Sequence, residues 1–552
     1  MASDAKSSRG RLGDGSLTAI DISACPRPWH AAFPDADIAG PDADVVGDVV
    51  ADFAAAAGDW PHRPAIVHNG VAITYRDLAE RVRLAALRYG VRQFAADGLS
   101  GLIGALVSHT PAVAEHLLGI LQARATYCPI DAALPVARKQ ALAAVLGLDR
   151  LFAAAAPDPQ ETTNLRIERL DEDPVAADEG LPQPLWHPSD PAYVLCTSGS
   201  TGAPKPVVVS RHALTVTVRA LRHLFALTPE DRVLQFASLG WDTCFEEILP
   251  ALTAGATLVF DDAAHSGSFP PFVRMLAERE VTVLDLPTAF WHELVFFLHE
   301  EQAALPDSVR LVVIGGERVD PTRLRQWRDL DVEHVRLLNT YGCTETTMVT
   351  HAVQLSGPGA EPEVAAHDAE APLGRPLPHV RDHVTDEDEL LVSGPSLATG
   401  YLGLPELTAT GFPVADHGSG PTRWFHTGDL VTRGEHGLLY SRGRADEQVK
   451  VLGVRVHPAE VEAQLNTHPG VTGAVVVGER LLGRTVLTAY VVSAGATTRA
   501  ELKRYLRERL PSQFVPSRVK FVAALAYTAS GKVDRAATQR AAADYDSKGA
   551  GQ

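Results

Sequence analysis

The chain has 552 residues, 45% of them hydrophobic and 21% charged, with a formal net charge of −18 at pH 7. This is globular composition, with room for roughly three to four domain-sized units. So acidic a balance speaks against a nucleic-acid partner, which calls for a clustered basic face.

The first 44 residues are rich in Asp, Ala, Gly and Pro without periodicity, and predict a loose N-terminal arm. The opening MASDAKSSRGRLGDGS lacks the apolar centre of a signal peptide, and no apolar run reaches the length of a membrane span. The five cysteines (Cys25, Cys128, Cys196, Cys244, Cys343) are scattered, odd in number and form no C-x-x-C pair, which fits a reducing compartment. A cytoplasmic protein with no membrane partner is the expectation.

From Val45 the texture changes. DVVADFAAAAG and TYRDLAERVRLAALRYG carry apolar residues at helical spacing, and each closes on Gly, a common helix stop. Short apolar runs then alternate with helical stretches: LIGALVS, AYVLCTS, RVLQFAS, ATLVFDD, VTVLDLP, VRLVVIGG and HVRLLNTYG. Strands interleaved with helices predict α/β layering around parallel sheets. Between Val384 and Tyr440 the Gly- and Pro-rich texture, with ELLVSG and GLLYSRG, predicts a small β unit. Beyond Arg444, helix HPAEVEAQLNTH, strands VTGAVVVGE and TVLTAYVVS, and helix TRAELKRYLRERL predict a compact α+β domain of about a hundred residues. The expected fold class is therefore α/β: a large N-terminal core of layered α/β subdomains plus the small β unit over residues 45–443, and a compact C-terminal α+β domain over 444–552.

The run LCTSGSTGAPKP, Leu195 to Pro206, sits between two of the apolar runs. Serine- and glycine-rich stretches are usually flexible linkers. Yet Gly199 and Gly202 free the backbone, Thr197, Ser198, Ser200 and Thr201 carry hydroxyls, and Lys205 adds a cation, which is what a phosphate cradle needs. The Walker spacing is absent, and no helix starts there to lend its dipole. Composition leaves linker and cradle equally open.

TSGSTGAPKP resembles the phosphate-loop motif of the adenylate-forming (ANL) superfamily: acyl-CoA synthetases, luciferases and the adenylation domains of nonribosomal peptide synthetases. Pro206 stands where that motif usually has Gly. LQARATYCPID resembles the peptide-synthetase motif before the loop, and NTYGCTETT a later one, with Cys343 where Pro is usual. ELLVSGPSLATGYLG, FHTGDL, GRADEQVKVLGVRVHPAEVE, LPSQFVP and YTASGKVDR follow in the family's order, so the resemblance runs from about Val45 to Arg535. It is identified as a resemblance to a stand-alone peptide-synthetase adenylation domain.

Such enzymes activate a carboxylate in two halves. The acid attacks the α-phosphate of ATP, releasing pyrophosphate and leaving an acyl-adenylate; a thiol then takes the acyl group. Positioning and charge neutralisation carry chemistry of this kind. The resemblance implies that Thr197, Ser198, Gly199, Ser200, Thr201, Gly202 and Lys205 hold the β- and γ-phosphates. It implies Glu345 as the ligand of Mg²⁺, a hard cation suited to oxygen donors, with Thr344 reaching a phosphate oxygen. Tyr341 would lie against adenine, Asp429 would accept the ribose hydroxyls with Arg444 as a second contact, and Lys532 would bridge the substrate carboxylate and the α-phosphate. Asp446 takes the family's hinge position, about which a mobile C-terminal domain would turn between half-reactions. Taken singly, an Asp after Gly is a turn residue and a Gly-Lys near a C-terminus is surface; the shared order of the motifs raises both above those readings. Cys196 and Cys343 read as apolar fillers, His426 and His457 as structural or surface groups, and the acidic helix start HPAEVE as capping. The tail AATQRAAADYDSKGAGQ has no Leu-Gly-Gly-x-Ser-like stretch, so a phosphopantetheinyl carrier protein is expected in trans.

In such domains an Asp in the WDTCFEEILPAL-type motif holds the substrate's α-amino group, and Asp242 occupies that place, after Trp241 where Phe is usual. Spacing from the motifs gives the other lining positions: Thr243, Glu246, Asp285, Val313, Gly315, Thr340, Met348 and Val349. Two further carboxylates in an enclosed pocket are costly without partners, so a basic amino acid is expected. Lysine comes first, then β-lysine, ornithine or 2,4-diaminobutyrate, with arginine behind. In a competing register Glu246 faces outward and only Glu247 matters. Two rivals are an acyl-CoA synthetase, which has no use for Asp242, and a non-catalytic nucleotide-binding partner protein, against which Lys205, Glu345, Asp429, Arg444 and Lys532 all stand.

Overall fold

The computed structural model of the chain describes residues 47–95, 101–154, 165–170, 187–199, 203–361, 364, 370–418, 420–481, 484–493, 495, 497–526 and 533–549. The arm expected over 1–44 lies outside them. Two large sheets build the core. The first has nine strands, and its six central members run parallel, in the order Arg336–Gly342, Leu311–Gly315, Val283–Pro287, Arg232–Leu234, Thr257–Phe260 and Pro64–His68. The second has seven strands, of which Pro191–Thr197, Thr126–Asp131, Leu102–Val107, Arg150–Ala153 and Arg166–Arg169 run parallel and Lys205–Ser210 turns back. Helices Val49–Asp59, Ala112–Gln122, Arg211–Leu224 and Thr243–Thr253 supply the apolar side chains that join both sheets into one hydrophobic cluster.

The antiparallel sheet of Arg381–Val384, Glu389–Ser393, Phe425–Arg433 and Leu439–Arg444 is the small β unit. After it come the hairpin Val449–Val451/Val454–Val456 and a three-stranded sheet with helices Pro458–Asn466 and Arg499–Arg507, packed on a separate core that includes Val456, Leu465, Val476 and Leu502. The architecture is mixed α/β with a large N-terminal core and a small C-terminal domain.

Three local expectations change. Helices Val49–Asp59 and Tyr75–Ala95 run through Gly58 and Gly90 rather than stopping there. An interior glycine costs about 1 kcal/mol, which burial of Phe53 and Ala56, or of Val82, Ala85 and Tyr89, outweighs. RVLQFAS pairs only over Arg232–Leu234, because the amides of Phe236 and Ala237 donate to the Glu247 carboxylate at 3.0 and 2.9 Å instead of to a neighbouring strand.

Candidate active site

Strands Pro191–Thr197 and Lys205–Ser210 form a hairpin with Thr197 opposite Lys205, so the ends of the Ser- and Gly-rich run are held side by side. Gly199 has no room for a side chain: a Cβ there would lie 2.1 Å from the Ala203 carbonyl oxygen. Thr197 Oγ1 donates to Glu345 Oε1 at 3.5 Å, and the Tyr401 hydroxyl donates to the same oxygen at 3.2 Å. Lys205 Nζ stands 5.9 Å from the centre of the Tyr401 ring. Thr344, buried beside Glu345, is near enough to the Asp242 carboxyl to favour its ionised form. Ser200, Thr201, Gly202 and Lys532 lie outside the described residues.

Asp429 and Arg444 are cross-strand partners in the small β unit. Arg444 Nη1 donates to Asp429 Oδ1 at 2.7 Å, the Tyr341 hydroxyl donates to Oδ2 at 2.7 Å, and Arg455 Nη2 reaches Oδ2 at 3.5 Å. Burial alone would raise the Asp429 carboxyl, but Lys450, Arg455 and Arg444 hold it below its ordinary range. Arg444 also clamps Asp446 with two bonds of 2.6 and 2.9 Å at the exit from the core. Tyr341, Asp429, Arg444, Asp446 and Lys450 line one cavity of about 1020 Å³.

A second cavity, about 290 Å³, adjoins it and is lined by Asp242, Thr243, Glu246, Asp285, Gly315, Thr340, Met348 and Val349. Asp242 stands at the N-cap position of helix Thr243–Thr253 without a side-chain capping bond, and Glu246 follows four residues on, on the same helix face. Gly315 and Thr340 are register partners across neighbouring strands, and a Cβ on Gly315 would meet Thr340 Oγ1 at 2.6 Å. Glu246 faces into the cavity. Glu247 turns away and holds the backbone of Phe236 and Ala237 and the Gln235 side chain. Val313, expected in the lining, does not reach it: it shares the strand face of Gly315 but lies two residues deeper, fully covered in the core.

Three carboxyls thus meet at one buried place. Burial pushes the Asp242 carboxyl up to about 6, although Thr344 and the Met348 amide pull the other way. That amide is presented by Thr347 and Met348, both with left-handed backbone (φ 61° and 66°), a strained arrangement for residues other than glycine. Burial also raises Glu246 and Asp285, and their mutual repulsion raises Glu246 further. Asp242 Oδ2 and Asp285 Oδ2 are buried without any hydrogen-bond partner.

Sequence reasoning missed the cations that the small domain contributes. Lys450 and Arg455, directly paired across the hairpin, line the smaller cavity together with Gly453 and Val454. Lys450 Nζ is 5.4 Å from the centre of the Tyr341 ring, Ser198 Oγ donates to the Arg455 carbonyl at 2.9 Å, and the Gly453 amide donates to Glu317 at 2.6 Å. The alternation V-K-V…V-R-V about a Leu-Gly turn was the available signal, since it puts both cations on one hairpin face. Capping of helix Pro458–Asn466 falls to His457, whose Nδ1 accepts from the Ala459 amide; Glu460 instead makes a buried ion pair with Arg138 of the core. Burial pushes the Cys196 and Cys343 thiols up to about 12, so neither is a nucleophile. His426 pairs with Glu389 at 3.0 Å near the surface.

The Pro191–Thr197/Lys205–Ser210 hairpin, the Glu345 carboxylate with two hydroxyls on it, and a cavity lined by three acids and by the small domain's hairpin thus lie side by side. Residues 53–402 match the family model for AMP-binding enzymes, and 460–532 that for the AMP-binding enzyme C-terminal domain. The chain belongs to the AMP-binding enzyme family. It is 40% identical over 516 residues to an isonitrile lipopeptide synthase of Streptomyces coeruleorubidus, covering 92% of this chain and 34% of that protein. It is 31% identical over 506 residues to a dimodular nonribosomal peptide synthase of Bacillus subtilis, covering 86% and 20%. The chain thus spans about a third or less of the length of these relatives. In fold it is similar to an artificially fused adenylation–PCP di-domain from Klebsiella oxytoca (TM-score 0.75, 22% identity, 86% and 94% covered). It is equally similar to the o-succinylbenzoate CoA synthetase of Bacillus subtilis (TM-score 0.75, 21% identity, 89% and 98% covered). No helix among the described residues is long and apolar enough to cross a membrane.

Proposed function

We propose that the chain activates a basic amino acid with ATP, giving aminoacyl-AMP and pyrophosphate, and passes it to the phosphopantetheine thiol of a carrier protein in the cytoplasm, within peptide antibiotic biosynthesis. Lysine is the first candidate, followed by β-lysine, ornithine and 2,4-diaminobutyrate. The observation that carries this reading is the set of three buried carboxyls, Asp242, Glu246 and Asp285, around one cavity, two of them with an unpartnered oxygen. Buried charge without a counter-charge costs several kcal/mol. A ligand with two ammonium groups relieves that cost at both ends: its α-ammonium on Asp242, its side-chain ammonium on Glu246 and Asp285. An acyl-CoA synthetase substrate without an amine would leave Asp242 buried and unanswered.

The remaining residues divide the work on the nucleotide. Asp429 and Arg444 hold the ribose, Tyr341 faces the adenine, and Thr197, Ser198, Gly199, Ser200, Thr201, Gly202 and Lys205 cradle the phosphates with Thr344. The Glu345 carboxylate beside the Thr197 and Tyr401 hydroxyls is an oxygen set that fits Mg²⁺. When bound, that ion supplies charge neutralisation to the phosphates. Lys532 balances the charge that builds between the substrate carboxylate and the α-phosphate, and Asp446 is the hinge between a core ending at 443 and a small domain from 444. Amino-acid-dependent ATP–pyrophosphate exchange tests the reading. Lysine-class substrates should lead the panel, and Glu246→Gln and Asp285→Asn should each lose tenfold or more, about 1.4 kcal/mol. Preference for leucine or phenylalanine, or full lysine activity in both variants, contradicts it.

A further inference from the structure

Glu246 from helix Thr243–Thr253 and Asp285 from strand Val283–Pro287 are both buried and line the smaller cavity together. Two carboxyls buried at one place repel each other when both are ionised, so one of the two keeps a proton. We infer that Glu246 and Asp285 share a single proton in the ligand-free cavity, and that a cationic side chain enters by displacing it. This rests on the basic-amino-acid reading above and adds to it a means of discrimination.

The surroundings keep the proton in place. Asp242 and Glu247 on the same helix add negative charge, and Tyr193 of strand Pro191–Thr197 and Cys244 are near enough to be felt electrostatically. The cations lining the cavity, Lys450 and Arg455, are drawn instead to Asp429. Among the described residues no cation is a leading influence on either carboxyl, and burial favours the protonated form of both, with repulsion adding to it at Glu246. Asp285 is 4% exposed and its Oδ2 has no partner, which leaves an acceptor aimed at an incoming N–H.

The exchange balances. The entering ammonium keeps its protons, the shared proton passes to water and then to buffer, and the carboxyl that held it becomes a carboxylate, so that the ammonium makes N–H···O contacts with two carboxylates. A neutral side chain of the same length has no charge to offer and leaves the proton where it is. Below the titration of the pair, the preference for a cationic over a neutral side chain should therefore grow about tenfold per pH unit.

Two ligands separate this effect from everything else in the site: lysyl sulfamoyl-adenosine and its norleucyl counterpart, which lacks only the terminal amine. The nucleotide and the α-ammonium on Asp242 are common to both, so their contributions cancel in the difference. Calorimetric titration of the full chain at pH 7, in two buffers of different ionisation enthalpy, counts the protons each ligand releases. The lysyl ligand should release about one proton more than the norleucyl ligand, and in Glu246→Gln that difference should vanish. Tighter lysyl binding with equal proton release overturns the shared proton and leaves the basic-substrate reading intact. Tighter norleucyl binding overturns both.

Discussion

Glu246 and Glu247 are adjacent, both buried, and differ in what their carboxyls meet: an acidic cavity for one, two backbone amides and a glutamine for the other. Their substitutions should diverge accordingly. Glu247→Ala strips buried donors of their acceptor, at about 1–3 kcal/mol for each, and should lower the melting temperature. Glu246→Gln removes a repulsive acid and should raise it while weakening lysine-dependent exchange. The pH dependence follows with the same logic. The folded chain keeps a proton on the raised pair that the unfolded chain, with ordinary carboxyls, has already released. Stability should therefore fall as pH rises above the ordinary carboxylate range, and the fall should be shallower in Glu246→Gln. Melting curves from pH 5 to 8 check this, and equal slopes in the two proteins would contradict it.

Hairpin Val449–Val451/Val454–Val456 and helix Pro458–Asn466 fasten the small domain to the core. Trp241 packs against the small domain's apolar core, and Arg138 and Glu460 pair while both are buried. Losing one member of a buried pair strands the other charge, at about 3–5 kcal/mol. A double-mutant cycle of Arg138→Ala and Glu460→Ala should show a coupling of about 1.5 kcal/mol or more in thermal or denaturant unfolding; strictly additive losses would show that the contact does not hold the domain. These are the features the sequence reading missed. Motif order led to the cavity lining and to the Asp429–Arg444 pair, because each residue lies within its own short segment. The Arg138–Glu460 pair spans 322 positions, and no local pattern announces a partner that distant. The shortened strand Arg232–Leu234 had a nearer cause: Glu247, on the helix that follows, captures the amides a sheet would have used.

At the scale of the whole molecule, the α/β core and the small α+β domain were legible because alternating apolar runs and helical spacing report layering directly. How the two parts move is a matter of function. If Lys532 serves adenylation alone and Asp446 is the hinge, Lys532→Ala should slow adenylate formation at least a hundredfold and spare thiol transfer from preformed adenylate. Asp446→Pro should show the opposite pattern, and equal losses in both steps would refute the assignment. The central claim, that three buried acids select a doubly cationic amino acid, is open to one direct measurement. The protein is incubated with ATP, Mg²⁺, hydroxylamine and an equimolar mixture of amino acids including ornithine and β-lysine, and the trapped hydroxamates are identified by mass. A lysine-class hydroxamate should dominate in the wild type and recede in Glu246→Gln; a leading hydroxamate from an apolar or acidic amino acid would contradict the account.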